Sequence, residues 1–152
     1  MNWTGKYFTL EEMTASPTAK RKGINNTPSE KVITALSKLV KNVLDPLREA
    51  WGAPIVVTSG YRSPKLNATV GGAKYSAHLY GYAADIRTIS DRPSDNKRLR
   101  DLFILLNLPF DQLIDEHGCD WLHISYKSNG NRHQLLSAVR KDGKTVYKSG
   151  IK

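Results

Sequence analysis

The chain has 152 residues and a mass of 17.0 kDa, with 39% hydrophobic and 24% charged residues, a formal charge of +9 and a pI near 9.7. A chain of this size buries about two-thirds of its unfolded surface, and the mixture suits one domain folded throughout, excluding a disordered or fibrous polymer. The positive balance favours an acidic partner such as nucleic acid, an anionic membrane surface or an anionic wall polymer.

No apolar run approaches the roughly 20 residues of a membrane span, so membrane insertion is not expected. The opening MNWTGKYFTLEEM lacks the basic and apolar segments of a secretory signal, so synthesis in the cytoplasm is expected. Cys119 is the sole cysteine, and no internal disulfide can form.

In chain order, TLEE sets Thr9 three residues ahead of Glu12, a capping box that predicts a short helix. TPSE predicts the main core helix, with Thr27 as its cap, Pro28 at the first helical position and Glu30 reaching back. Val32, Ile33, Leu36, Leu39, Val40, Val43, Leu44 and Leu47 then recur at helical spacing towards Trp51. Pro46 lies inside this run, has no amide hydrogen and predicts a kink or break.

PIVVTSGYR reads as a buried strand after the turn at Gly52, and YAADIRT as a second. SDNKRLRDLFILLN reads as a helix capped by Ser94, with Leu99, Leu102, Phe103 and Leu106 facing inward. DQLIDE and WLHISY, close in sequence, predict an antiparallel hairpin. SAVRKDGKTVYK predicts another around Asp142 and Gly143. The basic residues Lys127, Arg132, Arg140, Lys141, Lys144, Lys148 and Lys152 face one acid there, Asp142, which makes 128–152 either a solvated basic tail or a basic docking hairpin. The order of elements predicts a single α+β domain, 1–152, with a mainly antiparallel sheet flanked by helices.

A catalytic zinc site takes three protein ligands and keeps a position open. His78 in a glycine-bearing loop, Asp85 on the strand after it and His123 on WLHIS are candidates, with Gly81 giving the loop the freedom to bring two of them together. Spacing alone leaves them open as a surface histidine and a strand-end carboxylate, since neither HExxH nor CxxC is present.

SAHLYGYAAD matches every fixed position of SxHxxGxAxD and resembles the zinc D-alanyl-D-alanine carboxypeptidase and peptidoglycan endopeptidase family, peptidase family M15. FTLEEMTAS, NNTPSE, VLDPLREAWG, IVVTSGYRS, LNATVGGAKYSAH, FDQLIDE and DWLHIS resemble its bacterial and phage branch, from about residue 8 to residue 126. The resemblance implies a hedgehog/DD-peptidase-like fold and one Zn2+ per chain on His78, Asp85 and His123. It also implies Asp120 as general base, Arg62 binding substrate and steadying its carbonyl oxygen, and Ser76 at the substrate through local hydrogen bonding. Glu116 is the rival base. Cys119 reads as a packing residue, His117 and His133 as ordinary polar residues, and Tyr80, Tyr82 and Trp121 as aromatics of a cleft or the core.

The expected activity is hydrolysis of a peptide bond next to a D-amino acid in the peptidoglycan stem or cross-bridge, as a D,D-carboxypeptidase or an endolysin-like endopeptidase. The site of action is then the cell wall, with an anionic wall polymer held by the basic C-terminal end, and the chain is expected to be a monomer. A non-catalytic zinc-containing wall-binding or phage structural module is the alternative; retention of Arg62, Asp120 and all three ligand positions argues against it. Nucleic acid is not expected, because helix-turn-helix, zinc-finger and aromatic RNA-binding patterns are missing.

Overall fold

The computed structural model describes residues 3–150. Six strands form one sheet: β1 (Ile55–Ser59), β2 (Ala83–Thr88), β3 (Gln112–Glu116), β4 (Trp121–Ser125), β5 (Gln134–Lys141) and β6 (Lys144–Ser149), in spatial order β1-β2-β4-β3-β5-β6. Every pairing is antiparallel except β3 with β5. The helices are α1 (Leu10–Thr14), α2 (Pro17–Lys22), α3 (Glu30–Leu39), α4 (Asp45–Trp51), α5 (Pro64–Thr69) and α6 (Pro93–Leu106). The α+β class with a mainly antiparallel sheet is therefore as the sequence predicts. Among the described residues no helix is long and apolar enough to cross a membrane.

Strand alternation divides the sheet into two faces. Ile86, Leu113, Leu122 and Ile124 point to one face, where they join Leu36, Leu39, Val43, Leu44 and Leu47 of the long helical run and Leu99 and Phe103 of α6. That face is the core. Asp85, His123 and Ile114, cross-strand partners in one row, occupy the other face, which α3, α4 and α6 leave open.

Three local expectations are corrected. The cap of α3 is Ser29, not Thr27: Ser29 Oγ accepts from the Val32 amide at 3.3 Å, while Asn25 Oδ1 holds the Thr27 amide at 2.9 Å in the preceding turn. Pro28 is thus outside the helix. Pro93 occupies the first turn of α6 after Arg92, leaving Ser94 inside the helix and not at its cap. Around Pro46 the chain does not break, because a π turn at Val40–Leu44 joins α3 to α4, with the Asp45 amide donating to the Val40 carbonyl. The widened turn alters the hydrogen-bond register just before a residue with no amide to donate.

The capping box at Thr9 and Glu12 forms as predicted. So does the last hairpin, whose Asp142 (φ 52°) and Gly143 (φ 75°) both take the left-handed conformation of a tight two-residue turn. Residues 134–149 therefore form a hairpin of the sheet, whose second strand is exposed along its length.

Candidate metal centre and cleft

Asp85 on β2 and His123 on β4 face each other directly, with His123 Nδ1 3.0 Å from Asp85 Oδ1. A register shift between Val57 and Ser59 lies in β1 opposite Asp85, a bulge at the rim of the site. His78 comes from the short 3-10 turn Ala77–Tyr80, and its Nε2 stands 3.3 Å from the same Asp85 oxygen.

The loop is shaped to deliver His78. Ser76 Oγ accepts from the His78 amide at 3.2 Å, and Gly81 ends the turn at φ 77°, where a Cβ would lie 2.8 Å from the Val32 carbonyl oxygen. His78 Nδ1 lies 2.7 Å from the Gly60 carbonyl, which only accepts, so Nδ1 carries the proton and Nε2 keeps its lone pair for a metal.

The three potential ligand atoms lie within 4.8 Å of one another, and all three side chains are largely buried. Burial by itself would raise the Asp85 carboxyl, but the imidazoles of His78 and His123 outweigh it and hold the group well below the usual carboxylate range. Two imidazoles and an ionised carboxylate, open to a cleft on one side, fit zinc with a position left for water or substrate.

Arg62 follows β1 and enters the same cluster, with its guanidinium 3.5 Å from Asp85 Oδ2. Its Nε donates to Ser59 Oγ and its Nη1 to Asn67 Oδ1, both at 3.1 Å. Asn67 is 4% exposed and also donates to the Ala73 carbonyl, so it ties Arg62 to the glycine-bearing loop. Gly72 is required beside it, since a Cβ there would come within 2.0 Å of Asn67 Oδ1. Neither Asn67 nor Gly72 was foreseen; LNATVGG carried them, but their role depends on a contact with Arg62 that spacing does not reveal.

These residues border a cleft of about 960 Å³ that also takes in Glu116, Trp121 and Tyr147. Glu116 pairs with Trp121 across the β3–β4 hairpin and is an even step from Ile114, so it shares the face of His123. Burial pushes its carboxyl up to about 7; the neighbouring His123 opposes this, and Asp85 and Asp115 add to it.

Asp120 does not join the cluster. It is exposed, and it borders an adjoining depression of about 570 Å³ that shares His117 and Trp121 with the cleft. It lies in the turn that precedes β4, where Asn96 of α6 donates to its backbone carbonyl at 3.1 Å. The structure thus brings together His78, Asp85, His123, Arg62 and Ser76 with the rival base Glu116.

Of the other residues weighed, Trp121 and His117 border the cleft, packed edge to face at 5.4 Å, whereas Tyr80 and Tyr82 do not. Cys119 is buried, with Sγ 3.6 Å from the Arg100 guanidinium.

A family model described as Peptidase M15 matches residues 6–125. A stretch of 44 residues is 50% identical to the zinc D-Ala-D-Ala carboxypeptidase of Streptomyces albus G, covering 28% of this chain and 17% of that protein. The match therefore spans under a fifth of the relative's length.

Proposed function

The chain belongs to peptidase family M15, and from that premise we propose that it is a zinc metallopeptidase that hydrolyses a peptide bond next to a D-amino acid in the stem or cross-bridge of peptidoglycan. The observation that carries this reading is the meeting of His78, Asp85 and His123 with the Arg62 cation and the Glu116 carboxyl on one open cleft. The partial identity to a protein named zinc D-Ala-D-Ala carboxypeptidase supports the D-amino acid.

One zinc ion per chain would be held by His78 Nε2, Asp85 Oδ1 and His123 Nδ1. When bound, it supplies the Lewis acidity that lets water act as a nucleophile near neutral pH. Glu116 is taken as the base in this reading, because it lines the cleft on the face of His123, and Asp120, in the adjoining turn, is the other candidate. A carboxyl in this position can both take a proton from water and return it to the leaving amine.

Arg62 faces the charge that develops on the attacked carbonyl. Its hydrogen bonds to Ser59 and Asn67 fix the guanidinium in place, and a donor so held needs little reorganisation during the reaction. Removal of one such donor typically costs about 3 to 4 kcal/mol of barrier. Ser76 acts through the His78 amide and supports the ligand.

The action is assigned to the cell wall, by a monomer of the endolysin type, with the basic residues of the C-terminal end drawn to an anionic wall polymer. Mass spectrometry of purified peptidoglycan fragments after incubation with zinc-loaded protein tests the reading and names the bond. Chelator-sensitive cleavage, lost in Glu116→Gln and kept in Asp120→Asn, is expected. Cleavage lost only in Asp120→Asn would return the base to Asp120. One bound metal with no cleavage of any wall type would favour a non-catalytic wall-binding module.

A further inference from the structure

The family match ends at residue 125, yet the cleft continues beyond it onto β5 and β6 through Arg132, Gln134, Leu136, Thr145, Tyr147 and Ser149. The register explains why. Trp121, Glu116, Ala138 and Tyr147 are successive cross-strand partners over β4, β3, β5 and β6, and His123, Ile114, Leu136 and Ser149 form the adjoining row. Directly paired residues project to the same face, so both rows share the face of the metal ligands.

Within the first row the residue between Glu116 and Tyr147 is only an alanine. Ala138 is nonetheless 0% exposed, and with Ile114 and Leu136 it makes a small apolar cluster separate from the main core. A methyl group at that position leaves room above it for the longer side chains on either side. Tyr147 itself remains 56% exposed, an aromatic surface directed at the cleft. Burial raises its hydroxyl above the ordinary tyrosine value, and the Glu116 and Asp85 carboxylates raise it further, so the phenol stays protonated and is a donor.

We propose that the β5–β6 hairpin is the second wall of the active-site cleft and that the Tyr147 hydroxyl donates a hydrogen bond to a backbone oxygen of the substrate peptide beside the scissile bond. This rests on the peptidase reading above. The occupant is the substrate because the wall is continuous with the metal cleft: the row that ends in Tyr147 contains Glu116, and the row that ends in Ser149 contains His123. Loop residues such as Ser76 and Tyr75 form the opposite wall. A peptide lying between them crosses β3 and β5 over Ile114 and Leu136.

Tyr147→Phe keeps the ring over Ala138 and removes only the donor. Zinc content and the circular dichroism spectrum check that the variant is intact. Kinetics and calorimetric binding are then measured with a disaccharide–pentapeptide muropeptide, alongside Tyr80→Phe, an exposed tyrosine away from the cleft lining. The expected result is a loss of about tenfold in peptide affinity, seen as a raised KM and a weaker Kd, with Tyr80→Phe unchanged. Wild-type cleavage with KM and Kd within twofold in Tyr147→Phe would overturn the subsite and leave the peptidase standing. Binding that depends on Tyr147 in a protein that cuts nothing would keep the subsite and refute the hydrolase. A wild-type protein that neither cuts nor binds the peptide would refute both.

Discussion

Asp85 and His123 are direct cross-strand partners on β2 and β4, and their Oδ1 and Nδ1 atoms stand 3.0 Å apart. Strand register alone therefore assembles two of the three candidate ligands, and the loop brings the third, His78, to the same carboxylate oxygen at 3.3 Å. Three donors set this close on one face can close around a single ion.

Zinc should accordingly stabilise the native protein. At a free concentration one hundred times the dissociation constant, the gain is about 2.7 kcal/mol, visible as a raised Tm. His78→Ala and His123→Ala should each weaken zinc binding at least about a hundredfold and abolish that rise, by competition with a chromophoric chelator. An undiminished rise in either variant would remove that histidine from the ligand set.

Gly72→Ala should leave zinc affinity near that of the wild type but lower kcat about tenfold or more. The added Cβ collides with Asn67 Oδ1, the acceptor that fixes Arg62 Nη1, so the guanidinium loses its anchor without any ligand being touched. Steady-state kinetics beside a zinc titration separates the two effects.

The Glu116 carboxyl makes the metal-free protein sensitive to pH. Its folded value, about 7, exceeds the unfolded value of 4.5, so the native state binds this proton more tightly. The stabilising contribution is complete below pH 4.5, declines as pH rises through 7 and is gone above it. Glu116→Gln in chelator should therefore gain about 1 to 2 kcal/mol relative to wild type on going from pH 5 to pH 8, a discounted figure because the cleft admits solvent. Urea unfolding at the two pH values measures it; an equal difference at both would contradict the buried assignment.

Asp115 and Arg100 pair at 2.7 Å beneath the hairpin that carries Glu116, with side chains 7% and 4% exposed. Asp115→Asn leaves a buried guanidinium without that counter-charge and should cost about 3 kcal/mol in urea unfolding. Loss below 1 kcal/mol would mean that Asp101, 3.0 Å from the same guanidinium, carries the pairing.

Much of this protein was legible locally. The capping box at Thr9, the helical run from Val32 to Leu47 and the Asp142–Gly143 turn depend on neighbours within a few residues, and each formed, the helical run with a π turn at Val40–Leu44 inside it. SAHLYGYAAD pointed to His78 and Asp85 as candidate ligands through its resemblance to SxHxxGxAxD, their spacing alone leaving the matter open. The cap of α3 was misread by two residues because Thr27 and Ser29 both suit the role, and an Asn25 hydrogen bond decided between them.

What the chain order did not contain was which residues share a face and which strands become neighbours. Asp120 and Glu116 are both carboxylates near His123 in sequence, yet β3–β4 pairing puts Glu116 on the face of His123, while Asp120 stays in the turn, its backbone carbonyl bonded by Asn96 of α6. The parallel insertion of β5 beside β3 then brings Tyr147 into the row of Glu116, although they are far apart along the chain. Local preference depends on short-range sterics and hydrogen bonds, whereas a site is made by long-range pairing, and only the folded sheet fixes that register.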